Sequence, residues 1–420
     1  MTGGLGSARG EVDSGLMSHR IHLAVALERA GWHPAAWRAS GLSPRAFTTS
    51  RHWADQVRLL DGAGVTLATI EDALSLTDRL EDANDPDPGR LHGRIDAVLL
   101  ASALAPLTHR IGLIPTVTTT HTEPFHVATG IQTLDFASRG RAGVRLVVGG
   151  SAAERANFGR RDEIDLETGF REAGEVADAL GRLWDSWQDD AIIRDAASGR
   201  FVDADRIHNI DVAGEFFSIT GASIVPRSPQ GRPIISVLAH QTVPFRLAAE
   251  HADVVFVTPH DAAAATGILA ELDGAAAELR RSGERLRVFA DVIVLVEETS
   301  AAARDALARL DDLVGGEFRS DARVVAGTPT EVAEHIRALA ETGVDGVRLR
   351  PARQPDDVVA IAERLAPLLR ATRVLRDDDA ATLRGRLGLP RPASRYAGPA
   401  HDSAHDSAHD AAPTREKVAL

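Results

Sequence analysis

The fold is decided between Thr108 and Gly159, in the stretch T-H-R-I-G-L-I-P-T-V-T-T-T-H-T-E-P-F-H-V-A-T-G-I-Q-T-L-D-F-A-S-R-G-R-A-G-V-R-L-V-V-G-G-S-A-A-E-R-A-N-F-G. A β-rich run over residues 111–118 enters the polar turn Thr119-Thr120-His121. Phe125, Val127, Ile131 and Leu134 then fall at helical spacing, and a second β-branched run over 144–148 ends in Gly149-Gly150-Ser151. Both runs are nearly continuously apolar, as strands of a parallel sheet covered on both faces must be. The segment is one β-α-β unit, with small and polar residues just past each strand, where parallel α/β folds place their chemistry.

The same alternation extends outward. Upstream, residues 21–27 and 65–70 predict strands around a helix over 51–62, which Gly62 and Gly64 terminate. Residues 93–107 predict a helix. Downstream, 169–187 predict an amphipathic helix, after which the pattern lapses. Residues 189–232 mix Gly, Pro, Asp and aromatics at irregular spacing and read as a long excursion, with short strands around Phe216-Phe217-Ser218-Ile219. Excursions of this length inside a compact domain are usually functional. Strand–helix alternation then resumes to residue 369. The strands begin at Ile21, Val65, Ile111, Val144, Pro233, Val254, Leu286 and Gly346. Eight such units predict an α/β (β/α)8 TIM barrel with its long excursion between strands 4 and 5. The expected domains are a disordered leader over 1–19, a barrel over 20–391 and a disordered low-complexity tail over 392–420. In the tail His401-Asp402-Ser403-Ala404 repeats as His405-Asp406-Ser407-Ala408, a polar composition that builds no core.

Composition bounds the function. With 420 residues, 44% of them hydrophobic, the chain can bury a large core, and its net charge of −13 without a basic block argues against nucleic-acid binding. No apolar run approaches the roughly 18 residues of a membrane span. Cysteine is absent, which removes disulfides, thiolate metal sites and cysteine nucleophiles and suits a cytoplasmic address. Nucleophile-elbow, phosphate-loop and Rossmann patterns are absent as well.

In a barrel, the residues that follow the strands carry the chemistry. Here these are Glu71 and Asp72, Thr118 to His121, Gly149 to Ser151, Ala239 to Gln241, Thr258 to His260, Glu297, Glu298 and Arg350. Threonine hydroxyls at 118–120 would hold the polar edge of a ring, or simply finish a strand. Gly149-Gly150-Ser151, with Arg145, Arg160 and Arg161, would cradle a phosphate, or simply form a tight turn. His121, His240 and His260 with Glu71 or Asp72 are metal-ligand types. A metal hydrolase barrel would show His-x-His after strand one, where this chain has Glu28-Arg29, so no metal is expected.

The chain resembles bacterial-luciferase-like flavin monooxygenases, in the branch of nitrilotriacetate, long-chain-alkane and dibenzothiophene-sulfone monooxygenases. The matching segments run from about residue 20 to 396. They include Gly31-Trp32-His33-Pro34, Arg110-Ile111-Gly112-Leu113, Glu123-Pro124-Phe125, Leu134-Asp135, Gly140-Arg141-Ala142-Gly143, Asn157-Phe158-Gly159 and Leu183-Trp184-Asp185-Ser186-Trp187. Pro226-Arg227-Ser228-Pro229-Gln230-Gly231-Arg232-Pro233, Ala249-Glu250-His251-Ala252-Asp253 and Leu383-Arg384-Gly385-Arg386-Leu387-Gly388-Leu389-Pro390 follow. The resemblance implies a homo-oligomer, dimer or tetramer, that binds reduced FMN delivered by a flavin reductase and oxidises a small organic substrate with O2. It makes Asp72 and Thr118 cofactor contacts. The chain departs from the family at Val144-Arg145, where relatives have Trp-Asn, and at Gly149-Gly150, where they have Thr-Ser. It departs again at Leu166, Phe170 and Gln241, where polar residues would serve the flavin phosphate. A deazaflavin oxidoreductase and a non-catalytic partner subunit are the alternatives these departures raise.

Overall fold

The computed structural model describes residues 20–43, 45–76, 89–279 and 285–396. The expected leader and the His-Asp-Ser-Ala repeats lie outside the described residues. Eight parallel strands close a barrel: β1 (His22–Leu27), β2 (Leu67–Ile70), β3 (Gly112–Thr118), β4 (Gly143–Val147), β5 (Ile234–Leu238), β6 (Val254–Val257), β7 (Arg287–Val296) and β8 (Gly346–Pro351). They are numbered in chain order, and the β6–β7 and β8–β1 pairings complete the circle. The strands read as apolar runs because their outward faces pack against the helical ring, in a cluster that includes Val25, Leu113, Val144, Val255 and Leu349.

One strand was not legible in the sequence. Arg323–Gly327 pairs in parallel with the second half of β7, Val292 opposite Arg323, while β6 occupies only the first half of the same edge. β7 is ten residues long and outruns its neighbour, and the backbone groups it leaves free recruit this extra strand.

The N-terminal end of the barrel is plugged. Leu383, Leu387 and Leu389 pack into the lumen against Leu67, Ile114, Ile234, Val254 and Phe289. Any Cβ on Gly112 would stand 2.7 Å from the Leu383 methyls. Arg141, buried at the entry to β4, donates to Ser138 O, Thr108 Oγ1, Ile111 O, Ala105 O and Thr108 O. Asp135 accepts from the Ala142 and Gln230 backbone N–H groups and from the Gln230 amide. The motif residues near Leu134, Arg141, Gln230 and Leu383 therefore hold the closed end of the barrel, opposite the mouth.

The excursion between β4 and β5 begins with the helices Ala152–Phe158 and Leu166–Asp185. It continues as two small antiparallel hairpins, Ile192–Asp195 with Arg200–Val202 and Val212–Ala213 with Ser218–Ile219. Buried Asp185 anchors it through Arg227 and Arg232. Residues 392–396 join this packing: Arg395 pairs with Asp178 at 2.9 Å, and Tyr396 stacks on His208 at 4.6 Å. Most of the excursion thus braces one flank, and Phe216-Phe217 at its tip reaches a cleft beside the mouth.

Candidate functional site

The C-terminal mouth sits above a lumen filled with charge. Arg145 of β4, Arg348 and Arg350 of β8, Asp291 of β7 and Glu71 after β2 all turn inward. Arg145 ion-pairs with Glu71, and its Nε donates to Thr116 Oγ1 at 3.1 Å. Arg348 Nε donates to Asp291 Oδ1 at 2.8 Å, Arg348 Nη1 donates to Thr69 Oγ1 at 3.2 Å, and the guanidinium lies 3.8 Å from the Phe256 ring centre. Arg350 Nε also reaches Asp291 at 2.8 Å, and its Nη1 reaches Asp321 Oδ1 at 2.8 Å. Burial, the largest influence, works to raise the Asp321 pKa, but Arg350 and the Ser320 hydroxyl, which donates to Asp321 Oδ1, hold it down to about 2. His240, hydrogen-bonded to Thr258 at 2.8 Å and 3.5 Å from Asp321, continues the chain to the surface. Strand alternation places these side chains: residues two apart share a face, so Arg348 and Arg350 both enter the lumen.

Above this floor, the three threonines do different things. Thr119 Oγ1 donates to Val147 O at 3.2 Å. Thr120 Oγ1 donates to Gly149 O at 3.2 Å and accepts from Gly149 N–H at 3.0 Å. Those two hydroxyls lace the end of β3 to the end of β4. Thr118 is buried, and its hydroxyl makes no hydrogen bond among the described residues. Its methyl lies 2.6 Å from where a Cβ of residue 149 would stand, so only glycine lets the two strands meet there.

Asp72 lies beside β2, with Oδ2 accepting from Ala97 N–H at 2.9 Å and Oδ1 from Ala73 N–H at 2.8 Å. It helps hold the start of the helix Ala97–Leu104, which Asp96 caps. Burial pushes its carboxyl above the usual range, against the two amide bonds and Arg94.

The phosphate-cradle expectation for Gly149-Gly150-Ser151 is corrected by Glu154. Ser151 and Glu154 form a capping box on a seven-residue helix, with Glu154 Oε1 accepting from Leu74 N–H and Oε2 from Ser151 N–H, both at 3.3 Å. A carboxylate already holds the position an anion would need, and Arg145 points into the lumen. Arg161 ion-pairs with buried Glu172, and Arg160 lies 3.7 Å from Glu123. The positions that the resemblance would assign to a flavin phosphate hold exposed Leu166, half-buried Phe170 and exposed Gln241.

The candidate metal ligands do not converge either. Among the described residues no three His, Asp or Glu side chains form a metal-holding group. His121 stacks on Phe158 at 4.8 Å, burial lowers its pKa, and its buried Nε2 has no partner.

A closed barrel of eight parallel strands ringed by helices is the TIM-barrel architecture, whose enzymes carry their chemistry at the C-terminal mouth. Residues 38–346 match the luciferase-like monooxygenase family, and the chain belongs to it. It is thus a flavin-dependent monooxygenase, an oxidoreductase that works with O2, and the partner-subunit and deazaflavin readings are not favoured. It is 26% identical to N-acetyl-S-(2-succino)cysteine monooxygenase of Bacillus subtilis (strain 168), over 90% of this chain and 98% of the relative. It is equally 26% identical to nitrilotriacetate monooxygenase component A of Aminobacter aminovorans, over 91% of this chain and 99% of the relative. A solved long-chain alkane monooxygenase superposes with a TM-score of 0.80 at 23% identity, covering 89% of this chain and 96% of that one. No helix among the described residues is long and apolar enough to cross a membrane.

Proposed function

We propose that this chain is the oxygenase component of a two-component cytoplasmic system, a dimer or tetramer that takes reduced FMN from a separate flavin reductase and oxygenates a small organic substrate. Reduced FMN would supply the oxygen-activating chemistry, and the protein supplies binding, orientation and exclusion of water. The observation that carries the reading is the Thr118 hydroxyl beside Gly149, which makes no hydrogen bond among the described residues and is not sealed from solvent. A hydroxyl left free at the mouth can both donate and accept, and a flavin ring edge of carbonyl and N–H groups pairs with it. Asp72 has carboxylate lone pairs left over after its two amide bonds and accepts a ring N–H on the neighbouring strand. Trp32, held 5.7 Å from the Arg350 guanidinium, walls the mouth against water. Near full-length likeness to a protein named component A supports the two-component arrangement.

The test is anaerobic titration with reduced FMN and, in parallel, with reduced deazaflavin, followed by fluorescence. The expected result is micromolar binding of FMN, and light scattering then reads the oligomer. Binding of the deazaflavin alone would replace FMN as cofactor, and binding of neither by folded protein would sink the reading.

A further inference from the structure

The buried charges of the lumen do not balance, and one donor is left over. Three guanidiniums, those of Arg145, Arg348 and Arg350, face two largely buried carboxylates, Glu71 and Asp291. The third carboxylate, Asp321, is 39% exposed at the rim and pairs with Arg350, on the far side from Arg145. Arg348 and Arg350 direct their Nε and Nη2 groups to Asp291 and their Nη1 groups to Thr69 and Asp321. Arg145 uses Nε on Thr116 and Nη2 on Glu71, while its Nη1 makes no hydrogen bond among the described residues and is not sealed from solvent. Burial, together with repulsion from Arg348 and Arg350, works against the Arg145 charge, and Glu71 only partly offsets this. A cation so placed is stabilised by any anion arriving from the mouth.

The location of that donor is fixed by strand register. Thr116 is opposite Arg145, and Thr118 is two residues further along the same face of β3. A ligand that engages the Thr118 hydroxyl therefore rests directly over the Arg145 guanidinium. We propose that Arg145 is the charge partner of the bound cofactor's ring system, making the site prefer the anionic reduced isoalloxazine to the neutral oxidised one. This rests on the reading of the mouth as a flavin site. It assigns a purpose to the Nη1 donor that Thr116 and Glu71 leave unused: the chain selects the redox state in which its cofactor is delivered.

The experiment measures dissociation constants for oxidised and reduced FMN, without substrate or turnover, in wild type, R145N, R145K and the double variant E71Q/R145N. The double variant removes both members of the ion pair, so no buried carboxylate is stranded and folding is protected. The expected result is tighter binding of reduced FMN by wild type, with the preference narrowed at least tenfold in R145N and in the double variant and largely kept in R145K. A tenfold change corresponds to a bound-flavin midpoint potential about 30 mV lower for this two-electron couple. An unchanged ratio in the double variant would overturn the role of Arg145 while leaving the flavin site standing. Absence of flavin binding by wild type would overturn both.

Discussion

Arg348 and Asp291 form a fully buried, two-pronged ion pair across β7 and β8, with Nε to Oδ1 at 2.8 Å and Nη2 to Oδ2. Asp291 also receives Arg350, so one carboxylate restrains two guanidiniums. D291N would leave buried Arg348 only Glu71, at 3.6 Å, and Arg350 only Asp321 at the rim. Breaking such a pair costs about 3–5 kcal/mol, so the guanidinium-chloride unfolding midpoint should fall sharply. A loss below about 1 kcal/mol would mean that water reaches the lumen and the network is screened.

The two neighbouring threonines should separate binding from stability. T118V removes a hydroxyl that has no protein partner, so the melting temperature should hardly move while reduced FMN binds about tenfold more weakly, the worth of one hydrogen bond. T120V removes the bridge to both Gly149 N–H and Gly149 O, and should cost about 1–2 kcal/mol of stability. Equal flavin affinity in T118V and wild type would remove Thr118 from the binding site.

At Gly149 the constraint is space. In G149A the new methyl would stand 2.6 Å from Thr118 Cγ2 and 3.2 Å from Glu154 Oε2, forcing the strand ends apart. Overpacking of this kind costs about 1–3 kcal/mol. We expect the flavin affinity to drop along with stability, read by titration and thermal melt on the same sample. A variant with wild-type values in both would show that the ends of β3 and β4 yield freely.

Acid sensitivity should trace in part to His22. Burial first, then the charges of Arg376, Arg287 and Arg386, lower its pKa to about 3. The ring stacks on Phe289 at 6.0 Å, and its Nε2 is buried without a partner. Between pH 6.5 and about 3 the unfolded chain binds a proton that the folded chain refuses, so stability rises with pH across that window. The slope from this residue approaches about 1.4 kcal/mol per pH unit. H22Q should flatten the stability curve there and leave it unchanged above pH 7, and an unaltered slope would assign the acid sensitivity to other groups.

Helix ends and barrel strands were legible because each rests on local chemistry. Gly62 and Gly64 mark the end of the helix read over 51–62, and the structure ends it at Gly62. The alternative partnerships of polar groups were not legible. Arg145 stands four residues before Gly149 in the chain and invited a phosphate-loop reading. Its partner is Glu71, 74 positions away. The strand Arg323–Gly327 escaped notice because it is mostly half buried, and its pairing depends on how far β7 outruns β6.

The sequence by itself determined the barrel, its family and the place of its mouth, since periodicity of apolar residues and the βα alternation are properties of neighbouring positions. Only the tertiary structure decided what each polar side chain is for. Closing eight strands brings Glu71, Arg145, Asp291 and Arg348 from four different strand ends or interiors into one lumen, where low dielectric obliges every charge to find a partner. Which hydroxyl or guanidinium is then left over for a ligand is settled by that three-dimensional pairing, and no local pattern in the chain encodes it.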